Sequence, residues 1–257
     1  METKTVYSRI ELQKKLIELK EDGFKQREYL SEYLDNMLFY IGDQDANLRD
    51  KIIYTMFSEL ICNSDYLDYE KLKNILHVVL DDEHLFYQIG NTDDYTVLTR
   101  SFSVLVVALL LNRNRTKPFM SEDEFVRTKN LVFKYFESEK DYRGYNEKFG
   151  WIHAIAHCAD ALDEIVLTSL CTHEDCQTIL NLGAKVFTNS DFIFNHEEDE
   201  RFVSVIISMR EKELISLEEL EIWKESLVFD ENFNEYSSFI SRMNGKQLWR
   251  SLYFKNK

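Results

Sequence analysis

Apolar residues recur at three- and four-residue steps along nearly the whole chain, and stretches alternating apolar with polar positions are scarce. That pattern predicts helices. The first, over 8–21, carries Leu12, Leu16, Ile17 and Leu19 and is stopped by Gly23; the second, over 26–41, carries Leu30, Leu34, Met37 and Leu38 and is stopped by Gly42. Helices over 47–62 and 69–80 follow, then a short piece around 84–89. The next, over 95–112, is almost continuously apolar from Val104 onward, which places it centrally in the stack. Ser121 with Glu124 has capping-box spacing and opens a helix to about 138. A polar connection over 139–150 leads into a long helix over 151–170, and Thr172 with Asp175 caps another, to about 187. The remaining segments are 197–212, 216–229 (opened by Ser216 with Glu219), 233–242 and 247–253.

About a dozen helices joined by short turns predict an all-α protein, an α-solenoid or α-α superhelix with HEAT- or armadillo-like stacking. No fixed-period repeat is strong enough to name a repeat class. One proline and seven glycines leave no flexible linker, so residues 1–257 are expected to form a single elongated domain.

Charge narrows the partners. A formal net charge of -15 disfavours a phosphate backbone as ligand, because such binding is driven by clustered Lys and Arg, so no nucleic acid is expected. The most apolar run, 104–111, falls well short of the roughly 20 residues that span a bilayer, so no membrane partner is expected either. No export signal is visible at the N-terminus, and Cys62, Cys158, Cys171 and Cys176 are scattered, so the expectation is a cytoplasmic protein with free thiols.

Several chemistries lack their residues. There is no Gly-x-Gly, Gly245-Lys246 lacks the upstream glycine of a phosphate-binding loop, and there is no Gly-x-Ser-x-Gly elbow. No aspartate follows a histidine, as in helical phosphohydrolases, and no glutamate stands three residues before one, as in di-iron bundles.

One helix stands out. At about 100° per residue, His153, His157, Asp160 and Glu164 fall in a narrow arc, with Trp151, Ile155, Leu162 and Val166 opposite and alanines flanking the stripe. No Lys or Arg occurs between Gly150 and Leu170, so the stripe is expected to face a groove or a polar interior. Two histidines four apart are a chelating geometry to which Asp160 adds an oxygen, but Ala154 stands where a zinc protease carries its glutamate base. The structural alternative is that both histidines are hydrogen-bonded within the stack. Arg100 and Arg143 either bridge neighbouring helices through carboxylates or converge on the stripe as an anion site. The run from Cys171 to Cys176 offers three zinc ligands without a partner half.

The run Gly150-Trp151-x-His153-Ala154-x-Ala156-His157-x-Ala159-Asp160, preceded by Arg143-Gly144-Tyr145, resembles the bacterial family catalogued as domain of unknown function 2785. Arg100-Ser101-Phe102-Ser103 and Glu198-Asp199-x-Arg201 resemble its further signatures, and the run 45–50 an earlier one; the resemblance covers about 26–212. Cys158 stands where a small residue is expected. The resemblance implies a helical domain and no activity, since the family is itself uncharacterised.

The expectation is a non-enzymatic binding or scaffold module without cofactor, whose polar groove around His153, His157 and Asp160, with Glu164, Arg100, Arg143 and Trp151, takes a protein, a peptide or a small polar ligand. The alternative is a metal-dependent hydrolase in which His153, His157 and Asp160 hold one divalent ion.

Overall fold

The computed structural model describes residues 6–25, 27–227 and 236–255. Eleven α-helices lie among them: α1 Arg9–Glu21, α2 Leu30–Phe39, α3 Thr55–Cys62, α4 Tyr69–Val79, α5 Thr96–Thr116, α6 Glu122–Ser138, α7 Ala154–Leu167, α8 His173–Phe187, α9 Glu198–Glu211, α10 Leu217–Ser226 and α11 Tyr236–Lys255. A wider, π-type turn over Asn47–Tyr54 leads directly into α3. The protein is mostly helical, as the periodicity predicts.

Local chemistry sets several helix starts. Ser121 and Glu124 bond each other's backbone N–H in a reciprocal box, as do Thr172 with Asp175 and Ser216 with Glu219. A fourth box, Ser8 with Glu11, opens α1. The contacts between helices run mainly through one series. There α3 packs on α5, α5 on α7, α7 on α9 and α9 on α11; α2 also meets α4, and both α6 and α10 meet α8. Further contacts join α4 to α5, α6 to α7 and α8 to α9. Central α5 has the length and hydropathy of a membrane span, yet 83% of that stretch is buried inside the protein.

Three expectations are corrected. The helix expected over 151–170 begins only at Ala154, because residues 145–151 fold instead into a hairpin of β1 Tyr145–Asn146 and β2 Gly150–Trp151. It ends at Leu167, where Thr168 turns extended. The short piece around 84–89 is a series of turns. The two segments expected over 233–242 and 247–253 are one helix, α11, whose middle is tied down by Asn244 bonding to the backbone of Phe192 and Phe194. The expected starts at 26 and 233 and the expected end at 229 lie outside the described residues.

Candidate functional site

The site is assembled around a buried arginine. Arg49, on the turn before α3, is fully buried and donates to the carbonyls of Asp43 (2.6 Å), Phe149 (2.7 Å) and Trp151 (3.2 Å), with its guanidinium 4.7 Å from the Phe102 ring centre. It therefore fixes the hairpin from a distant part of the chain. Gly150 between those carbonyls has φ +73°, and a Cβ there would meet Ala46 at 2.9 Å, so this bend requires glycine. The chain then returns through Ile152 N–H to the Gly144 carbonyl (2.8 Å).

These restraints leave His153 at φ 47°, a left-handed conformation costly for a residue with a side chain. Glu197, the residue before α9, is left-handed too, at φ 67°. The entries to α7 and α9 thus share an unusual backbone and border one cleft of about 770 Å³. Its walls include Trp151, His153, His157, His196 and Arg201, with Asp50, Lys51 and Tyr54 from the turn before α3 and Phe102 and Leu105 from α5.

Hydrogen bonds fix the protons of both histidines. Ser101 Oγ–H donates to the Ile152 carbonyl, so its oxygen accepts from His157 Nδ1 at 2.8 Å. His157 is then protonated on Nδ1, and Nε2 is left as an acceptor with no partner among the described residues. His153 Nε2 donates to the His196 carbonyl at 2.8 Å, which leaves Nδ1 as its acceptor. Burial, aided by His153 and Arg201 nearby, depresses the His157 pKa to about 3, and burial also lowers that of His153. Both rings are neutral at neutral pH. Ser101 is fully buried with its proton committed, so it orients His157 and is not placed to act as a nucleophile.

The residues singled out in the sequence divide into two groups. Trp151, His153 and His157 line the cleft, with the Trp151 ring stacked on His153 at 4.5 Å. Asp160 stands behind it, both oxygens held by Arg201 Nη1 (2.6 and 2.8 Å), and burial raises its pKa against the pull of that arginine. Glu164 points elsewhere, to Asn112 (2.9 Å) and Arg115 (3.0 Å). Arg100 is fully buried in a two-bond pair with Glu139 (2.7 and 2.9 Å), and Arg143 binds Asp141 and the Asp94 carbonyl. Neither arginine converges on the histidines; both bridge structural elements.

The cations at the cleft are instead Arg201 and Lys51. Arg201 stands in the run Glu198-Asp199-x-Arg201, but nothing in its spacing reports that Asp160, 41 residues earlier, would hold it. His196 and Glu197 read in the sequence only as the solvated charge of a helix start, and nothing there marks Asn195 as a cleft residue. Among the described residues no group of three or more His, Cys, Asp or Glu side chains is arranged to hold a metal ion. Asp160, the third ligand of the hydrolase alternative, is occupied by Arg201.

A family model described as "Protein of unknown function (DUF2785)" matches residues 85–254. The match starts later than the resemblance over 26–212 and takes in α11 as far as Phe254, while the run 45–50 falls outside it. No curated protein and no solved structure matches the chain. On the extent of the family match, the chain belongs to DUF2785, a family of proteins of unknown function.

Proposed function

We propose that the chain is a non-enzymatic binding module, an α-α superhelix whose cleft at the entries of α7 and α9 holds a small organic anion. One observation carries this reading: the same cleft gathers two helix N-termini and two cations with unspent donors. Arg201 uses Nη1 on Asp160, and its Nε and Nη2, like Lys51 Nζ, have no hydrogen-bond partner among the described residues, although Lys51 also feels the charge of Asp50 beside it. Helix N-termini present unpaired N–H groups and a positive field, which favour a carboxylate or phosphate.

The rest of the wall suits the body of such a ligand. Trp151 is half-exposed and offers a flat apolar surface, Phe102 and Leu105 lie below, and His157 Nε2 accepts a hydrogen bond from a ligand hydroxyl or amine. The unbroken series of contacts from α3 through α5, α7 and α9 to α11 supports the superhelical reading, since in such folds each element is buried on its neighbours.

The test is a thermal-shift series with phosphate, citrate, glutamate and mononucleotides, run on the wild type and on Arg201→Ala. At least one anion is expected to raise the wild-type midpoint. Its affinity should fall roughly tenfold to a hundredfold in the variant, the loss of one charged hydrogen bond of about 1.5–3 kcal/mol. No shift with any of these anions, together with native mass spectra free of co-purified small molecules, overturns the reading.

A further inference from the structure

A second group of reactive side chains lies away from the cleft, where the chain enters α8. Thr172 is the N-cap of that helix, so Cys171 precedes the cap and Cys176 is the fourth helical residue. These are the two positions whose side chains meet across a helix start in a hydrophobic staple. Here the staple is made of two thiols. Their sulfurs are 3.9 Å apart, Cys176 is fully buried, and Cys171 keeps 7% of its surface exposed. Cys62 and Cys158 lie on other helices, and neither has a sulfur partner.

We propose that Cys171 and Cys176 form an oxidisable dithiol, a modification site at which peroxide closes a reversible disulfide across the start of α8.

The sulfurs are already in van der Waals contact, and closing the bridge brings them from 3.9 Å to the bonding distance of about 2.05 Å. The pair is also chemically uneven. The contact between the two thiols favours the thiolate of Cys176, while the same contact and burial push Cys171 up. Cys176 lies in the first turn of α8, where the helix field also favours a thiolate. In the reaction the Cys176 thiolate attacks one peroxide oxygen, the O–O bond breaks, and the departing hydroxide leaves as water, giving a sulfenic acid. The Cys171 sulfur then attacks that sulfur, its proton leaves with the hydroxyl as a second water, and the S–S bond forms. Two thiols supply the two electrons that reduce one peroxide.

The experiment uses the full reduced chain exposed to a small excess of hydrogen peroxide, then denatured with an alkylating agent, with thiols counted and peptides mapped by mass. The expected result is a fall from four alkylated cysteines to two, with the missing pair bridged in the peptide that contains Cys171 and Cys176, and recovery of all four with dithiothreitol. Cys62→Ser should lose the same pair, and Cys171→Ser should form no bridge. Four thiols persisting after peroxide, a bridge to Cys62 or Cys158, or over-oxidation of one sulfur without a bridge would each overturn the proposal and leave the pair as packing alone.

Discussion

Ser101 has one proton and gives it to Ile152, and this small fact fixes the state of His157. His157→Ala removes a buried ring and leaves the Ser101 oxygen without its donor, so the variant should lose about 1–3 kcal/mol. Its melting midpoint should fall by about 2–4 °C for each kcal/mol at this chain length. A midpoint equal to that of the wild type would mean that the bond contributes nothing. The same residue predicts a pH dependence. In the folded chain His157 takes a proton only near pH 3, whereas unfolded histidine does so near 6.5. Between those values the unfolded state binds more protons, so stability is fully present above about pH 6.5 and is lost as the pH falls toward 3, by up to about 1.4 kcal/mol per pH unit. Denaturant titrations from pH 7.5 to 4 should give a shallower fall for His157→Asn; parallel curves would contradict the assignment. The burial of His157, and its partner outside its own helix, are legible from the alanines around it. The left-handed turn at His153 is not, because Arg49 imposes it from about one hundred residues earlier.

Helix starts were legible wherever they rest on a Ser or Thr followed by an acid three residues on, since that contact is local. The hairpin before α7 was not: its two-residue strands are shorter than any alternation can reveal, and its bend depends on Gly150 fitting against Ala46. Helix contacts are equally silent in the sequence, as Gly183 in α8 illustrates. On an exposed helix, Gly→Ala stabilises by about 1 kcal/mol through helix propensity. At Gly183 an added Cβ would lie 2.1 Å from the tip of the Phe202 ring on α9, and that ring is itself packed by Phe136, Phe187 and Trp223. The ring is fully buried, so it cannot swing out into solvent. Gly183→Ala should therefore destabilise, by about 1–3 kcal/mol from overpacking, visible as a lower urea midpoint with an unchanged slope. A raised midpoint would show that α8 and α9 separate at little cost.

Across the whole molecule, the family match and the physical unit have different boundaries. The matched residues begin at Leu85, just before α5, and leave out α1 to α4. Yet α5 packs on α3 and α4, and Arg49, Asp50, Lys51 and Tyr54 reach the hairpin and the cleft from the unmatched part. Removing residues 1–84 would expose the face of α5 that α3 and α4 cover and would leave the carbonyls of Phe149 and Trp151 without Arg49. Each buried carbonyl stripped of its donor costs about 1–3 kcal/mol, and the uncovered apolar face adds to that loss. A chain of residues 85–257 should consequently melt at a lower temperature and over a broader range than the full chain, and bind a hydrophobic dye. The ring protons of His157, in its altered surroundings, should titrate closer to the ordinary histidine value when followed by NMR. A truncated chain that melts as sharply and as high as the full one, with His157 still neutral down to about pH 3, would mean that the first four helices are an addition to the fold. The opposite result would make them one wall of the cleft, as the reach of Arg49 into the hairpin requires.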